Sequence, residues 1–177
     1  TVAQGFLDEG VLPVIKHILG HGHGTVDSHE SLPIVEASLD ELVNDFAPFR
    51  QCNYLPLAMT GHLMFNEIDA ENVSTQSAKL IEKVIRGHTG FDGLLMTDDI
   101  SMKALSPDKG ITLHAENALR AGCDVILHCN GDASEMFPLM ETLPRLTGRA
   151  LERADKAMKL LSSKTSKIDA ATAEEEW

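Results

Sequence analysis

The sequence predicts an α/β fold, the C-terminal half of a (β/α)8 TIM barrel with about four βα units. Four short apolar runs are the first observation: VLPVIKH at 11–17, PLAMTGHL at 56–63, GLLMTDDI at 93–100 and DVILHCN at 124–130. Each has a strand's length and lacks clean alternation, as strands buried on both faces require. Helix-patterned segments lie between and after them, and that alternation calls for parallel βα units. Finally, every strand runs out into polar, chemically capable residues: Lys16 and His17, then His62, then Asp98 and Asp99, then His128 and Asn130. Active sites of barrels gather at the C-terminal ends of the strands.

The helices follow from spacing and end signals. Residues 38–50 open on Ser38 with Glu41 three positions on, a capping-box spacing, and place Leu39, Leu42, Val43 and Phe46 on one stripe. Residues 77–87 carry Leu80, Ile81, Val84 and Ile85 and meet Gly87 near their stop. The segment 112–121 ends at Ala121-Gly122, and 148–161 forms a last amphipathic helix with Leu151, Ala154, Met158 and Leu161. Residues 1–161 are thus read as one barrel piece. Residues 162–177 have no apolar periodicity, end in Glu174, Glu175 and Glu176, and are read as a polar tail.

Composition narrows the function. Of 177 residues, 43% are hydrophobic, enough for a real core, and the net charge is -12. That balance leaves no basic patch for phosphates and argues against nucleic acid and anionic membrane partners. No apolar run reaches about 18 residues, so no membrane span is expected. The opening TVAQGFLDEG is no signal peptide, and it lacks an initiator Met, so the chain reads as processed, cut or part of something longer. Cys52, Cys123 and Cys129 form an odd set without a CxxC pair. Reduced thiols in a cytoplasmic fold are expected, with Cys123 and Cys129 as small buried hydrophobes.

Three stretches could do chemistry. His17, His21, His23 and His29 lie close together with Asp27, but Gly20, Gly22 and Gly24 make a helical metal site implausible. No metal and no cofactor is expected; the glycines point to a tight backbone or a close approach, as in a loop over a ligand. Asp27-Ser28-His29 can fix an imidazole tautomer and orient it for proton transfer, or be a solvated loop pair. Thr97-Asp98-Asp99 puts two carboxylates at a strand end, where adjacent side chains diverge and take separate roles. One can face a pocket as nucleophile or base, while the other binds backbone or caps a turn.

The ordered segments KHILGHG, VDSH, AMTGH, GFDGLLMTDDISM and AGCDVILHCN, with LTGRALERAD near the end, resemble glycoside hydrolase family 3. The likeness is greatest to its bacterial β-N-acetylglucosaminidases of cell-wall recycling. The resemblance implies a retaining mechanism with Asp98 as nucleophile, His29 as acid/base, Asp27 as its partner, and Lys16 and His17 as sugar ligands. His62, Asp99 and Met102 are expected to line or brace the pocket, though Met102 also suits a core. The implied substrate is a GlcNAc-1,6-anhydro-MurNAc muropeptide. Another family 3 glycosidase, a glycoside phosphorylase and an inactive half barrel stand as alternatives. Leu19 and His23 depart from the family pattern, which has Pro at the first and Asp or Arg at the second. The family barrel also has about twice this many βα units, so the carboxylate and Arg that grip the terminal sugar are expected outside this chain. A half barrel has open edges and exposed apolar faces, and alone it is expected to be unstable, insoluble or driven to self-association.

Overall fold

The computed structural model describes residues 1–24, 26, 31–105 and 110–161; the expected tail at 162–177 lies outside them. After a short helix α1 (Val2–Asp8), four strands form one parallel sheet: β1 (Val14–Ile18), β3 (Leu57–Thr60), β5 (Leu94–Asp99) and β6 (Val125–Leu127), adjacent in chain order. Two-residue strands β2 (Ile34–Val35) and β4 (Met64–Phe65) pair in parallel beside it. Consecutive parallel neighbours joined by helical crossovers are the arc of a βα barrel. All four expected strands are present, each shorter than its apolar run.

Helix α2 (Leu39–Gln51) begins as its spacing predicts. Ser38 and Glu41 form the capping box, the Glu41 carboxylate accepting the Ser38 N–H at 2.8 Å and its hydroxyl at 2.7 Å. The expected helix at 77–87 is instead a wide-turned π-helix over Leu80–His88, closed where Thr89 donates its N–H to Val84 O at 2.9 Å and its hydroxyl to Ile85 O at 2.6 Å. Gly87 therefore does not end it. Helix α3 (Ile111–Ala121) stops at Gly122, whose φ of 116° places it in the left-handed region that suits a C-terminal glycine. Helix α5 (Gly148–Met158) runs into a 3-10 turn at Lys159–Leu161. Helix α4 (Ala133–Thr142) was not expected; Pro138 sits inside it and masks its pattern.

The sheet has two unlike faces. Ala58, Thr60, Leu95 and Thr97 are fully buried, and Ala58 and Leu95 share a core with Leu42, Phe46, Leu80, Ile81, Val84 and Ile85 of the covering helices. On the alternate positions, Leu57, Met59, Leu94 and Met96 are only half-buried and Val14 is exposed. Cross-strand register lines these up as Val14–Leu57–Leu94 and Met59–Met96–Val125. Cys123 is buried as expected, its thiol pushed up to about 12 by burial, but Cys129 is exposed, because β6 ends at Leu127 and the chain has left the sheet.

At the entry to β6 a buried carboxylate ties the layers together. Asp124 accepts the Leu95 N–H at 2.8 Å, Arg86 Nη2 from the π-helix at 2.9 Å, and Arg153 Nη1 from α5 at 3.0 Å. Arg86 also donates to the carbonyls of Phe91 and Gly93, and Arg153 to Asp92. Removing one partner of such a group strands buried charge, at a cost of about 3–5 kcal/mol. Asp124→Ala is accordingly expected to lower unfolding stability by that amount in urea titrations. A loss under about 1 kcal/mol, the scale of an exposed pair, would show that the network contributes little.

Candidate active site

The C-terminal ends of the strands bring the predicted polar residues together. Lys16 and His17 lie near the end of β1, Lys16 exposed and His17 half-buried. Asp98 and Asp99 close β5, and His62 sits just beyond β3. His17 Nε2 stands 3.4 Å from Asp98 Oδ2, while Asp98 Oδ1 accepts the Asp99 N–H at 2.8 Å. The Asp98 side chain is 15% exposed, held by neighbours but open on one side. Asp27 and His29 lie outside the described residues.

The two adjacent aspartates divide as strand geometry requires. Asp99 turns away from Asp98, accepting the Ser101 N–H at 3.1 Å, the Ser101 hydroxyl at 2.8 Å and the Cys129 N–H at 3.1 Å. Burial works to raise its pKa, but these hydrogen bonds outweigh it and hold the carboxyl below the usual carboxylate range. Asp99 thereby braces the β5 and β6 ends, leaving Asp98 as the carboxylate with an open side.

His62 is a buried brace. Its Nε2 lies 3.0 Å from the Asp99 carbonyl, which can only accept, so Nε2 carries the proton. Burial pushes the imidazole pKa down despite that bond and the nearby Asp98 and Asp99 charges, so the ring is neutral and Nδ1 is an acceptor. The Thr75 hydroxyl, 2.8 Å from Nδ1, then points its proton there, and Thr60 stands 2.9 Å behind it. Gly61 O remains satisfied by Ser74 Oγ at 2.6 Å. Thr75 carries no sequence signal of this role, since it sits in a 3-10 turn outside every apolar run.

The described part of the histidine-glycine stretch packs closely on protein. His23 pairs with Asp45 of α2 at 3.1 Å, Gly22 faces the same carboxylate, Gly20 lies over the Phe49 ring, and His21 meets His17 edge to face. Gly61 makes that possible: a Cβ there would come within 2.9 Å of His21 and 2.8 Å of Leu63. Among the described residues, no group of three or more His, Cys, Asp or Glu is arranged to hold a metal ion. Just past the end of β5, a cavity of about 490 Å³ is lined by Ser101, Met102, Lys103, His114, Asn130 and Glu135, among others, with neither Asp98 nor Asp99 in its wall. Met102 is half-buried there and not a core residue. His128 is tied to Glu135 at 2.8 Å, as is Asn130. Among the described residues no helix is long and apolar enough to cross a membrane.

Comparison with known proteins adds to this geometry. The profile of the Glycosyl hydrolase family 3 N terminal domain matches residues 1–173. The beta-hexosaminidase of Bordetella avium (strain 197N) is 34% identical over 133 residues, covering 73% of this chain and 38% of that protein. The structure of a family 3 beta-N-acetylglucosaminidase from Paenibacillus sp. str. FPU-7 superposes with a TM-score of 0.77 at 28% identity, over 95% of this chain and 35% of that one. NagZ from Neisseria gonorrhoeae, solved in complex with N-trifluoroacetyl-D-glucosamine, gives 0.78 at 26% identity, over 99% and 49%. The chain spans about two fifths of the curated relatives it matches.

The depressed pKa of His62 makes stability pH-dependent. The unfolded imidazole titrates near 6.5, above the folded value, so on acidification the unfolded chain takes up the proton first. The contribution is complete above about pH 6.5 and is lost as pH falls below it toward the folded value. Urea midpoints measured from pH 8 down to 5 are expected to fall less steeply in His62→Gln than in the parent. Parallel profiles would disprove the neutral buried imidazole.

Proposed function

The chain belongs to glycosyl hydrolase family 3, and from that premise we propose that it carries the catalytic end of a retaining exo-β-N-acetylglucosaminidase. The reading rests chiefly on one observation: Asp98 presents a carboxylate, 15% exposed, at the end of β5, 3.4 Å from His17. Relatives with beta-hexosaminidase and beta-N-acetylglucosaminidase names, and a neighbour holding an N-acylated glucosamine, support a GlcNAc-type sugar. The proposed substrate is a muropeptide ending in GlcNAc on 1,6-anhydro-MurNAc, cleaved in the cytoplasm during cell-wall recycling.

In the first step the Asp98 carboxylate attacks the anomeric carbon while His29 gives its proton to the departing glycosidic oxygen, leaving a glycosyl-aspartate ester. In the second, His29 takes a proton from water as that water attacks the same carbon and Asp98 leaves, restoring the configuration. Asp27 orients the imidazole and stabilises its charged form. An imidazole as acid/base, neutral after giving up its proton, spares Asp98 the repulsion of a second carboxylate. Lys16 and His17 hold sugar hydroxyls, Asp99 and His62 brace the strand ends, and Met102 forms part of the cavity wall. The remaining sugar-binding wall comes from polypeptide beyond these 177 residues, and residues 1–161 act as one catalytic piece with a polar tail after it.

The test uses a chain extended to the full length of its relatives. Incubation with a slowly turned over fluoro-glycoside is expected to yield a glycosyl adduct on Asp98, located by peptide mass spectrometry. Asp98→Asn is expected to lower kcat by roughly 10⁴-fold or more, the scale seen on removing a covalent catalytic group. An adduct on another residue, inverted product, or near-parental turnover in the variant would overturn the assignment.

A further inference from the structure

One hydroxyl beneath the strand ends faces two acceptors. Thr75 Oγ1 stands 2.8 Å from His62 Nδ1 and 3.0 Å from the Gly61 carbonyl oxygen, with Thr60 Oγ1 2.9 Å away. A hydroxyl has a single proton and two lone pairs, so it serves one of those acceptors at a time. Thr60, His62 and Thr75 are all fully buried, and bulk water cannot replace a missing partner. We propose that Thr75 is a positioning residue for the reaction. Its hydroxyl turns between His62 Nδ1 and Gly61 O, so that His62 keeps its hold on the Asp99 carbonyl, and through it on Asp98, with or without a second proton on the ring. This role rests on the reading of Asp98 as nucleophile.

Both proton arrangements are complete. In the neutral ring Nε2–H donates to Asp99 O and the Thr75 proton goes to Nδ1, while the Thr60 hydroxyl donates to Thr75 Oγ1. Gly61 O then keeps the Ser74 hydroxyl, at 2.6 Å. When the ring takes a second proton from solvent, Nδ1–H donates to Thr75 Oγ1 and the Thr75 proton swings to Gly61 O, which has a second lone pair for it. No heavy atom has to move, and no buried group of the cluster loses its partner. The turn that carries Thr75 is fixed to the same segment. Ser74 N–H donates to Leu63 O at 2.7 Å, and Leu63 N–H donates to Ser74 Oγ at 3.1 Å.

The hold reaches Asp98 through the backbone of Asp99. The Asp99 carbonyl accepts His62 Nε2–H at 3.0 Å and Met102 N–H at 3.1 Å, while Asp99 N–H donates to Asp98 Oδ1 at 2.8 Å. If His62 let go, Asp99 could rotate and draw its N–H away from the carboxylate. Charges act on the ring from several elements. Burial, the largest influence, and His114 of α3 oppose the imidazolium, while Asp98 and Asp99 of β5 favour it. His17 of β1 and His21 lie close to Gly61. Asp98 loses its charge on forming a glycosyl ester and regains it on release, which shifts that balance within each turnover. A ring held equally well in both states keeps Asp98 aimed throughout.

Nitrogen NMR of histidine-labelled protein, made as a chain extended to the full length of its relatives, reads the ring directly. The parent is expected to show the Nε2–H tautomer at neutral pH. On acidification a proton is expected to add at Nδ1 while Nε2–H stays protected from exchange. Thr75→Val keeps the shape of the side chain and removes the hydroxyl. His62 is then expected to titrate at lower pH, because the charged ring loses the stronger of the two bonds. In the same variant kcat is expected to fall about tenfold with KM little changed. Thr75→Ser is expected to restore both. A Nδ1–H tautomer, loss of Nε2–H protection as the parent takes up its proton, or a Thr75→Val protein with parental titration and kcat overturns the proposal. The first two readouts need no variant, so misfolding of Thr75→Val does not shield the proposal from refutation. An adduct mapped away from Asp98 overturns the nucleophile reading and the positioning role with it, while the ring spectra still decide whether the hydroxyl turns. An adduct on Asp98 beside a Nδ1–H ring refutes the role of Thr75 alone.

Discussion

A single buried carboxylate holds the sheet and its helices in register. Asp124 takes a hydrogen bond from the backbone of β5 and charge-assisted bonds from guanidiniums on the π-helix and on α5. Those three donors come from elements far apart in sequence, and the two arginines are also committed elsewhere: Arg86 to two carbonyls, Arg153 to Asp92. Bonds of this charged kind have narrow geometry, so the carboxylate sets where β6 begins relative to β5. Hydrophobic burial supplies more free energy, but it is non-directional and would tolerate a slip that the Asp124 cluster forbids.

Register at that end determines geometry at the other. Pairing of Met96 with Val125 and of Asp99 with Leu127 brings Cys129 N–H onto the Asp99 carboxylate, which in turn points Asp98 the opposite way. The Asp99 carbonyl receives the His62 proton, and the Thr60–Thr75 pair fixes the tautomer from behind. The result is a charged Asp99 satisfied by three donors and a neutral His62 satisfied on both nitrogens. His62 has no capacity left, and Asp99 spends three of its acceptor sites on Ser101 and Cys129, away from Asp98. Preorganisation of the candidate nucleophile is thus a consequence of its neighbours being held by other partners.

Much of this was legible in the sequence, for identifiable reasons. Apolar runs ending in polar residues marked β1, β3, β5 and β6, because a two-sided parallel strand has no polar face to blur its signal. Ser38 and Glu41 located the start of α2 because a capping box is a local interaction. The Asp98–His17 approach was implied only by both lying at strand ends, and tertiary register supplied the distance. What stayed hidden was non-local. Thr75 becomes meaningful only when the chain after β4 folds under His62. Asp124 resembled a strand boundary, since no pattern announces that arginines 38 residues before and 29 residues after will converge on it. Pro138 concealed α4, and the contacts of Gly20, Gly22 and His23 with α2 had no sequence signal.

The same register has a further consequence for the open face. Because Val14, Leu57 and Leu94 fall in one row and Met59, Met96 and Val125 in the next, the uncovered side of the sheet presents layered apolar side chains and not a random scatter. A surface sheet adapted to water would alternate polar residues there, as antiparallel sheets with one wet face do. None of these six positions is polar. The polar residues appear only at the rim, with Lys16, His17 and Asp98, where a substrate rather than bulk packing would meet them. An apolar floor beneath a charged rim is the cross-section of a barrel wall: the floor is built to meet an opposing wall and the rim to remain open. On the proposed assignment, chemistry at Asp98 would therefore depend on closure twice over, through the excluded water that strengthens its electrostatics and through the second side of the pocket.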